Sequence, residues 1–281
     1  CTYCLIPKIR GPYRSVEKAD LIEEAKNLGE VDELILVAQD VTLYGNDLNP
    51  KSSLPELIRA LSALENVSGI RLLYCYPENI TDELIREFQS NPKMIRYIDI
   101  PLQHADDRIL KLMNRRGSGE EYLNLIKRLK REINGIAIRS TFITGFPSED
   151  ETAFNNLCEF LKKAKLFNAG FFKYSREEDT PAYNLPNQVK EGEKTKRLKK
   201  LYSLQKKIVK ENNKSLVGNI YSVKAEGFDE ERMVYYGRAY FSAPDIDGKI
   251  YFFSGEEIIY GKWYNVKILN TKDYDLYGER L

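Results

Sequence analysis

Cys1 and Cys4 open the sequence as Cys1-Thr2-Tyr3-Cys4. Two thiolates at this spacing can share one metal ion or cluster. Three chemistries compete. A zinc site needs two further ligands, yet His104 is the only histidine. Cys75 and Cys158 are isolated in apolar surroundings, LLYCYP and NNLCEFL, and read as small buried hydrophobes. A thioredoxin-like redox pair would sit between a strand and a helix, whereas this pair precedes Ile6-Pro7-Lys8. The third chemistry is a three-cysteine motif that holds a four-iron four-sulfur cluster and leaves one iron open for substrate. Cys1 and Cys4 would then be two of its three ligands.

Other polar residues fall where a parallel barrel gathers its ligands, at the C-terminal ends of strands. Gln39 and Asp40, Gln103 and His104, and Thr144 to Phe146 all have this placement. Gly145 lets backbone approach a flat ligand closely, and Pro147 fixes the turn. Read alone, Gly145-Phe146-Pro147 is equally a plain strand-ending turn, and His104 reads as a structural residue before a ligand or base. Arg139 lies within a strand, so it must face a carboxylate or the cavity. Arg115 and Arg116 read first as cations ending a helix favourably, with ligand contact as the alternative.

The elements that must position these residues alternate. Helical patterns are predicted over Ser15–Leu28 (capped by Ser15), Ser53–Leu64, from Thr81, and over Asp106–Met113, Gly119–Ile133 and Glu149–Lys163. Strands are predicted at ELILVAQ (33–39), Gly69–Tyr76, Tyr97–Leu102, Ile136–Phe146 and Gly170–Tyr174. Such βα alternation implies a parallel sheet with helices outside it. The fold class expected is α/β: a partial (β/α)6 parallel barrel, lacking its first strand, followed by a small antiparallel β-barrel. Residues 1–190 would form the first domain and 191–214 a connecting helix whose charged face is solvated. Residues 215–281, with short alternating runs between turns, would form the second domain.

The chain has 281 residues, 42% of them hydrophobic and 11% aromatic, so a packed core is expected rather than disorder. No apolar run approaches membrane-spanning length, and no signal peptide is seen, so the cytoplasm is the expected compartment. In a reducing cytosol the four cysteines are not expected to form disulfides. Net charge is +1, but from Ser215 onward eight Lys and Arg stand against eleven Asp and Glu. That second domain is a poor phosphate binder and a better match for a basic protein.

CTYCLIPKIRGPYRS resembles the cluster loop of the methylthiotransferase branch of the radical-SAM superfamily, whose motif is CxxxCxxC with an aromatic residue before the third Cys; Tyr3 holds that position. The motif's first Cys would stand four residues before Cys1. VAQDVTLYG, IPLQHADDRILKLMNRR, RSTFITGFPSEDE and FFKYSREEDTPAYNL continue the resemblance in order. The last part resembles a TRAM domain of the RimO type, with the pattern GR…APxxDGxV met by Gly237, Arg238, Ala243, Pro244, Asp247 and Gly248, while Lys249 and Ile250 depart slightly.

The resemblance implies a 4Fe-4S cluster on Cys1 and Cys4. It implies S-adenosyl-L-methionine (SAM) held among Tyr3, Gln39, Asp40, Gln103, Arg139, Thr144, Gly145 and Phe146. No catalytic side chain is expected beyond the cluster ligands. The reduced cluster would cleave SAM to a radical that takes a hydrogen from the β-carbon of an aspartate. A second cluster, in an N-terminal domain not represented here, would supply sulfur, and a second SAM the methyl group. The substrate would be a small-subunit ribosomal protein (protein twelve), met by Arg238 and Asp247, with flavodoxin as the kind of electron donor expected. A transfer-RNA methylthiotransferase of the MiaB type, or a non-enzymatic protein-binding fragment, are the alternatives; the acidic second domain disfavours RNA.

Overall fold

The computed structural model describes residues 1–281. A short helix α1 (Ile6–Arg10) follows the cysteine loop, then α2 (Lys18–Asn27). Strand and helix then alternate: β1 (Leu34–Leu36), α3 (Leu54–Ser62), β2 (Ile70–Leu72), α4 (Asp82–Ser90) and β3 (Met94–Asp99). Next come α5 (Asp107–Leu112), α6 (Gly119–Glu132), β4 (Ala137–Thr144), α7 (Glu151–Ala164) and β5 (Asn168–Lys173). The five strands form one parallel sheet in sequence order.

Local chemistry explains most boundaries. α3 opens with a full capping box: Ser53 receives the Glu56 N–H while Glu56 receives the Ser53 N–H. Its Leu54, Leu57, Ile58 and Leu61 are buried at helical spacing. Thr81 and Asp150 cap α4 and α7 through the N–H groups of Leu84 and Ala153. Ser15 is not the cap expected of it. Its hydroxyl and N–H both bond the Asp47 carboxylate, at 2.6 and 2.8 Å, and α2 starts later, at Lys18. β3 also ends before the expected Leu102, because Pro101 has no N–H to continue the ladder. Pairing resumes at a bridge between Gln103 and Phe142.

The long helix α8 (Glu191–Lys214) packs on β5 and α7, with Leu201 and Ile208 in the same core as the sheet. β6 (Ile220–Asp229), β7 (Val234–Arg238), β8 (Ile250–Phe253), β9 (Trp263–Lys272) and β10 (Asp275–Arg280) then close into a barrel, ordered β10-β8-β7-β6-β9. The expectation of a wholly antiparallel barrel needs one correction: β8 and β10 are parallel. Strand directions cannot alternate all the way round a closed ring of odd number, so one neighbouring pair must run parallel.

The two cores meet across the sheet. Along β3 and β4, Ile98 and Ile138 join the cluster under the helices, while Tyr97 and Ala137 join the barrel's cluster with Val223, Phe252 and Ile268. Successive side chains of a strand point to opposite faces, so the barrel sits on the face opposite the helices. No helix is long and apolar enough to cross a membrane.

Candidate functional site

The cysteine loop is seated on the C-terminal side of the sheet. Thr2 donates its N–H to the Met113 carbonyl at 3.1 Å and its hydroxyl to the Leu112 carbonyl at 2.8 Å, so the end of α5 carries the loop. Its own carbonyl accepts from the Ala182 N–H at 2.9 Å, beyond β5. Tyr3 turns inward, edge-on to Phe146 at 6.1 Å, and Phe146 meets Tyr174 edge-on at 5.1 Å. Burial pushes the Tyr3 phenol well above its ordinary pKa. This aromatic contact links the loop to the ends of β4 and β5, and Phe146 is fully buried beneath it.

Cys1 is exposed and Cys4 half-buried, so both thiols are open to a ligand, whereas Cys75 and Cys158 are buried as the sequence suggested. Each sulfur of the loop meets an N–H donor: Ile6 N–H lies 3.4 Å from Cys4 Sγ, and Arg115 Nη1 3.7 Å from Cys1 Sγ. Donors of this kind suit thiolates that carry negative charge into a cluster. The donor set therefore fits two of the three ligands that a 4Fe-4S cluster of this type takes.

The strand ends around the loop are strained. Gln103, a non-glycine residue, has φ +71°, and Tyr74 beyond β2 has φ +59°. Such conformations persist where neighbouring structure enforces them and cluster at functional sites. The Gln103 N–H bonds the Thr141 carbonyl and its carbonyl accepts from Ile143, which leaves its side chain half-exposed at the end of the sheet. Gln39 is exposed beside a cleft of about 550 Å³ formed with Ile6, Pro7, Arg10 and Tyr13.

Other predicted residues have different work. The Asp40 carboxylate caps the short 3-10 turn at Val41–Leu43 through the Thr42 N–H and hydroxyl, and accepts from Asn79 at 3.2 Å. Thr144 and Gly145 face a buried carboxylate, Glu149, for which the sequence alone indicates only a helix start. Glu149 accepts from Thr144 Oγ1 at 2.9 Å, the Gly145 N–H at 2.8 Å, Arg197 Nη1 at 2.8 Å and His104 Nε2 at 3.3 Å. His104 Nδ1 accepts the Asp106 N–H, so the proton sits on Nε2. Burial alone would raise the Glu149 pKa, but bonds from His104, Thr144 and Arg197 hold it below its ordinary value. His104 is thus a structural residue. Gly145 has φ +75°, and a Cβ there would overlap the Lys194 stem, so its smallness serves the packing of α8.

Arg139 is the third residue of β4 and does not reach the strand ends. It pairs with Asp99 at 2.9 Å and lies 3.6 Å from Asp247, beside a cavity of about 390 Å³ between sheet and barrel. Asp247 accepts the Tyr97 hydroxyl at 2.8 Å and the Ala243 N–H at 2.9 Å. Burial pushes the Asp99 and Asp247 carboxyls above the usual range. Arg238 bonds Glu226 at 2.7 Å and pairs with Glu33, which also holds Arg71. Arg238 and Asp247 were expected to meet a protein substrate; in this structure their charges are engaged between the two domains.

The chain matches the Radical SAM superfamily model over residues 1–161 and the TRAM domain model over 217–281. It is 50% identical over 281 residues to a ribosomal protein uS12 methylthiotransferase RimO from Acetivibrio thermocellus. The same named protein from Clostridium kluyveri is 50% identical over 280 residues, and that from Lachnoclostridium phytofermentans 47%. These matches cover 99% of this chain but only 62 to 64% of the relatives' own length. Among solved structures it resembles the radical S-adenosylmethionine methyltransferase TsrM from Kitasatospora setae (TM-score 0.52, 18% identity, 65% of this chain and 36% of that one). It also resembles coproporphyrinogen III oxidase HemN from Escherichia coli (TM-score 0.51, 12% identity, 68% and 44%). At those identities the likeness speaks for the fold alone. With its cysteine loop on the strand ends of a parallel sheet and a TRAM barrel behind it, the chain belongs to the radical SAM superfamily.

Proposed function

We propose that this chain is the radical-SAM and TRAM portion of a methylthiotransferase that modifies the β-carbon of an aspartate on ribosomal protein uS12. The observation that carries the reading is the seating of the Cys1–Cys4 loop, through Thr2 and Tyr3, on the ends of β3 to β5. The similarity to named uS12 methylthiotransferases along almost the whole chain supports it. Cys1 and Cys4 would hold the cluster, which when bound supplies the electron that cleaves SAM. Tyr3 and Phe146 form the apolar floor of the loop, and Gln39 and Gln103 present polar side chains at the strand ends. Glu149 keeps the turn after β4 in place, and the cofactor rather than a side chain performs the hard chemistry.

A second cluster, carried by residues beyond those described, and an electron donor of the flavodoxin kind complete the proposal, with the cytoplasm as the compartment. The acidic barrel favours a basic protein over RNA as the partner. The test uses the protein at the length of its relatives, reconstituted with iron and sulfide without oxygen and given SAM and dithionite. Ribosomal protein and transfer RNA are offered separately. A methylthio mass gain on the ribosomal protein is expected; gain on the RNA alone would overturn the reading. Cys1→Ala or Cys4→Ala should abolish SAM cleavage, and unchanged cleavage removes them from the cluster role.

A further inference from the structure

Four arginines of this chain are buried: Arg71, Arg115, Arg197 and Arg238. A guanidinium taken out of water needs a counter-charge, because an unpaired buried cation is costly. Arg71 and Arg238 share Glu33, and Arg197 has Glu149. Arg115 has no carboxylate. Its Nη2 donates to the Pro101 carbonyl at 2.7 Å and its plane lies over the Tyr76 ring at 4.2 Å. Its titratable neighbours are the phenols of Tyr3, Tyr76 and Tyr122. Nε is buried with no hydrogen-bond partner, and Nη1 points to Cys1 Sγ. A carbonyl and an aromatic face orient a cation without neutralising it.

The placement is built into the chain. Asn114 ends α5 in the left-handed conformation, φ +54°, and the Arg115 N–H closes back onto the Leu110 carbonyl at 2.9 Å. This is the six-to-one closure of a helix C-terminus, and it fixes where the next side chain goes. The same turn carries the cysteine loop, through the Leu112 and Met113 carbonyls that hold Thr2. One helix end therefore sets both the thiol and the cation.

We propose that Arg115 is the counter-cation of the iron–sulfur cluster, placed against Cys1 to favour the cluster's reduced form. This rests on the reading of Cys1 and Cys4 as cluster ligands. Net charge around a cluster and hydrogen bonds to its sulfurs set its potential. A fixed cation beside a cluster sulfur, partly shielded from solvent, is worth about tenfold in the one-electron reduction equilibrium.

The test is a dithionite titration of the reconstituted full-length protein, followed by electron paramagnetic resonance, for wild type, Arg115→Met and Arg115→Lys. Arg115→Met should shift the cluster midpoint negative by about tenfold in equilibrium constant, about 59 mV for one electron. Arg115→Lys should recover most of it, and SAM affinity by calorimetry should not change. Should Arg115→Met retain too little cluster to titrate, Arg115→Gln is read in its place. An intact cluster at the wild-type potential in the variant overturns the proposal. So does an unchanged potential with SAM affinity lost, which would give Arg115 to the SAM carboxylate. Failure of the wild type to take up any cluster at the loop would instead sink the cluster reading itself.

Discussion

Replacing Glu149 with glutamine keeps the side chain's shape and removes its charge. Oε1 accepts from Thr144 and Arg197, while Oε2 accepts from Gly145 N–H and His104. A glutamine amide must present its NH2 to one of these donor pairs, so one pair loses its acceptor whichever way it turns. The His104 tautomer cannot relieve the conflict, since its Nδ1 is taken by the Asp106 N–H. Arg197 would keep only the Glu149 carbonyl and the partly exposed Glu193. Breaking a buried ion pair on one side costs about 3–5 kcal/mol. For a domain of this size that corresponds to a fall of about 10 °C in the melting temperature. Calorimetry and urea denaturation of the 281-residue chain would read it. Because the Glu149 pKa is lowered in the folded state, its contribution is present above the ordinary glutamate value and fades as pH falls through the folded one. The gap between Glu149→Gln and wild type should therefore narrow in acid below about pH 4.5. A variant within 1 kcal/mol of wild type at pH 7, or a gap that widens in acid, would refute the assignment of Glu149 as the hub of this turn.

Three further outcomes follow from the same geometry. Gly145→Ala should cost about 2–4 kcal/mol, from the left-handed φ and the Lys194 stem together. Gly29→Ala, just after α2 at φ +72° with nothing within 4 Å, should cost about 1–2 kcal/mol; equal losses in denaturation would remove the Lys194 contact from the account. Asp247→Ala should cost about 2–4 kcal/mol by orphaning the Tyr97 hydroxyl and the Ala243 N–H. Asp247→Asn should lose less than half as much, read by the fluorescence of the single tryptophan, Trp263 in β9. A double-mutant cycle of Glu33→Gln and Arg238→Met should give a coupling of about 1–3 kcal/mol; strict additivity would mean that this buried pair does not hold the barrel to the sheet.

Much of the scaffold was legible along the chain. The alternation of apolar runs with capped helices located the five sheet strands in order, and the burial of Cys75 and Cys158 followed from their neighbours. Two boundaries differ for opposite reasons: Asp47, 32 residues away, claims Ser15, whereas Pro101 cuts β3 short from within the predicted run itself. At the candidate site the sequence placed Gln39, Gln103 and Phe146 at strand ends. It could not show that Asp40 caps its own turn, or that Arg139 turns away toward Asp99 and Asp247.

The cysteine loop itself divides the same way. Spacing and the aromatic at Tyr3 determined that Cys1 and Cys4 could act together, because those features depend on residues a few positions apart. What surrounds the thiols was decided by tertiary structure. Arg115 reaches Cys1 across 114 positions of chain, and Glu149 gathers donors from His104 and Arg197 at separations of 45 and 48. Whether a buried charge finds a partner depends on which distant segments the fold packs together. Periodicity and capping carry no record of that pairing, so the one buried arginine without a carboxylate became visible only in three dimensions.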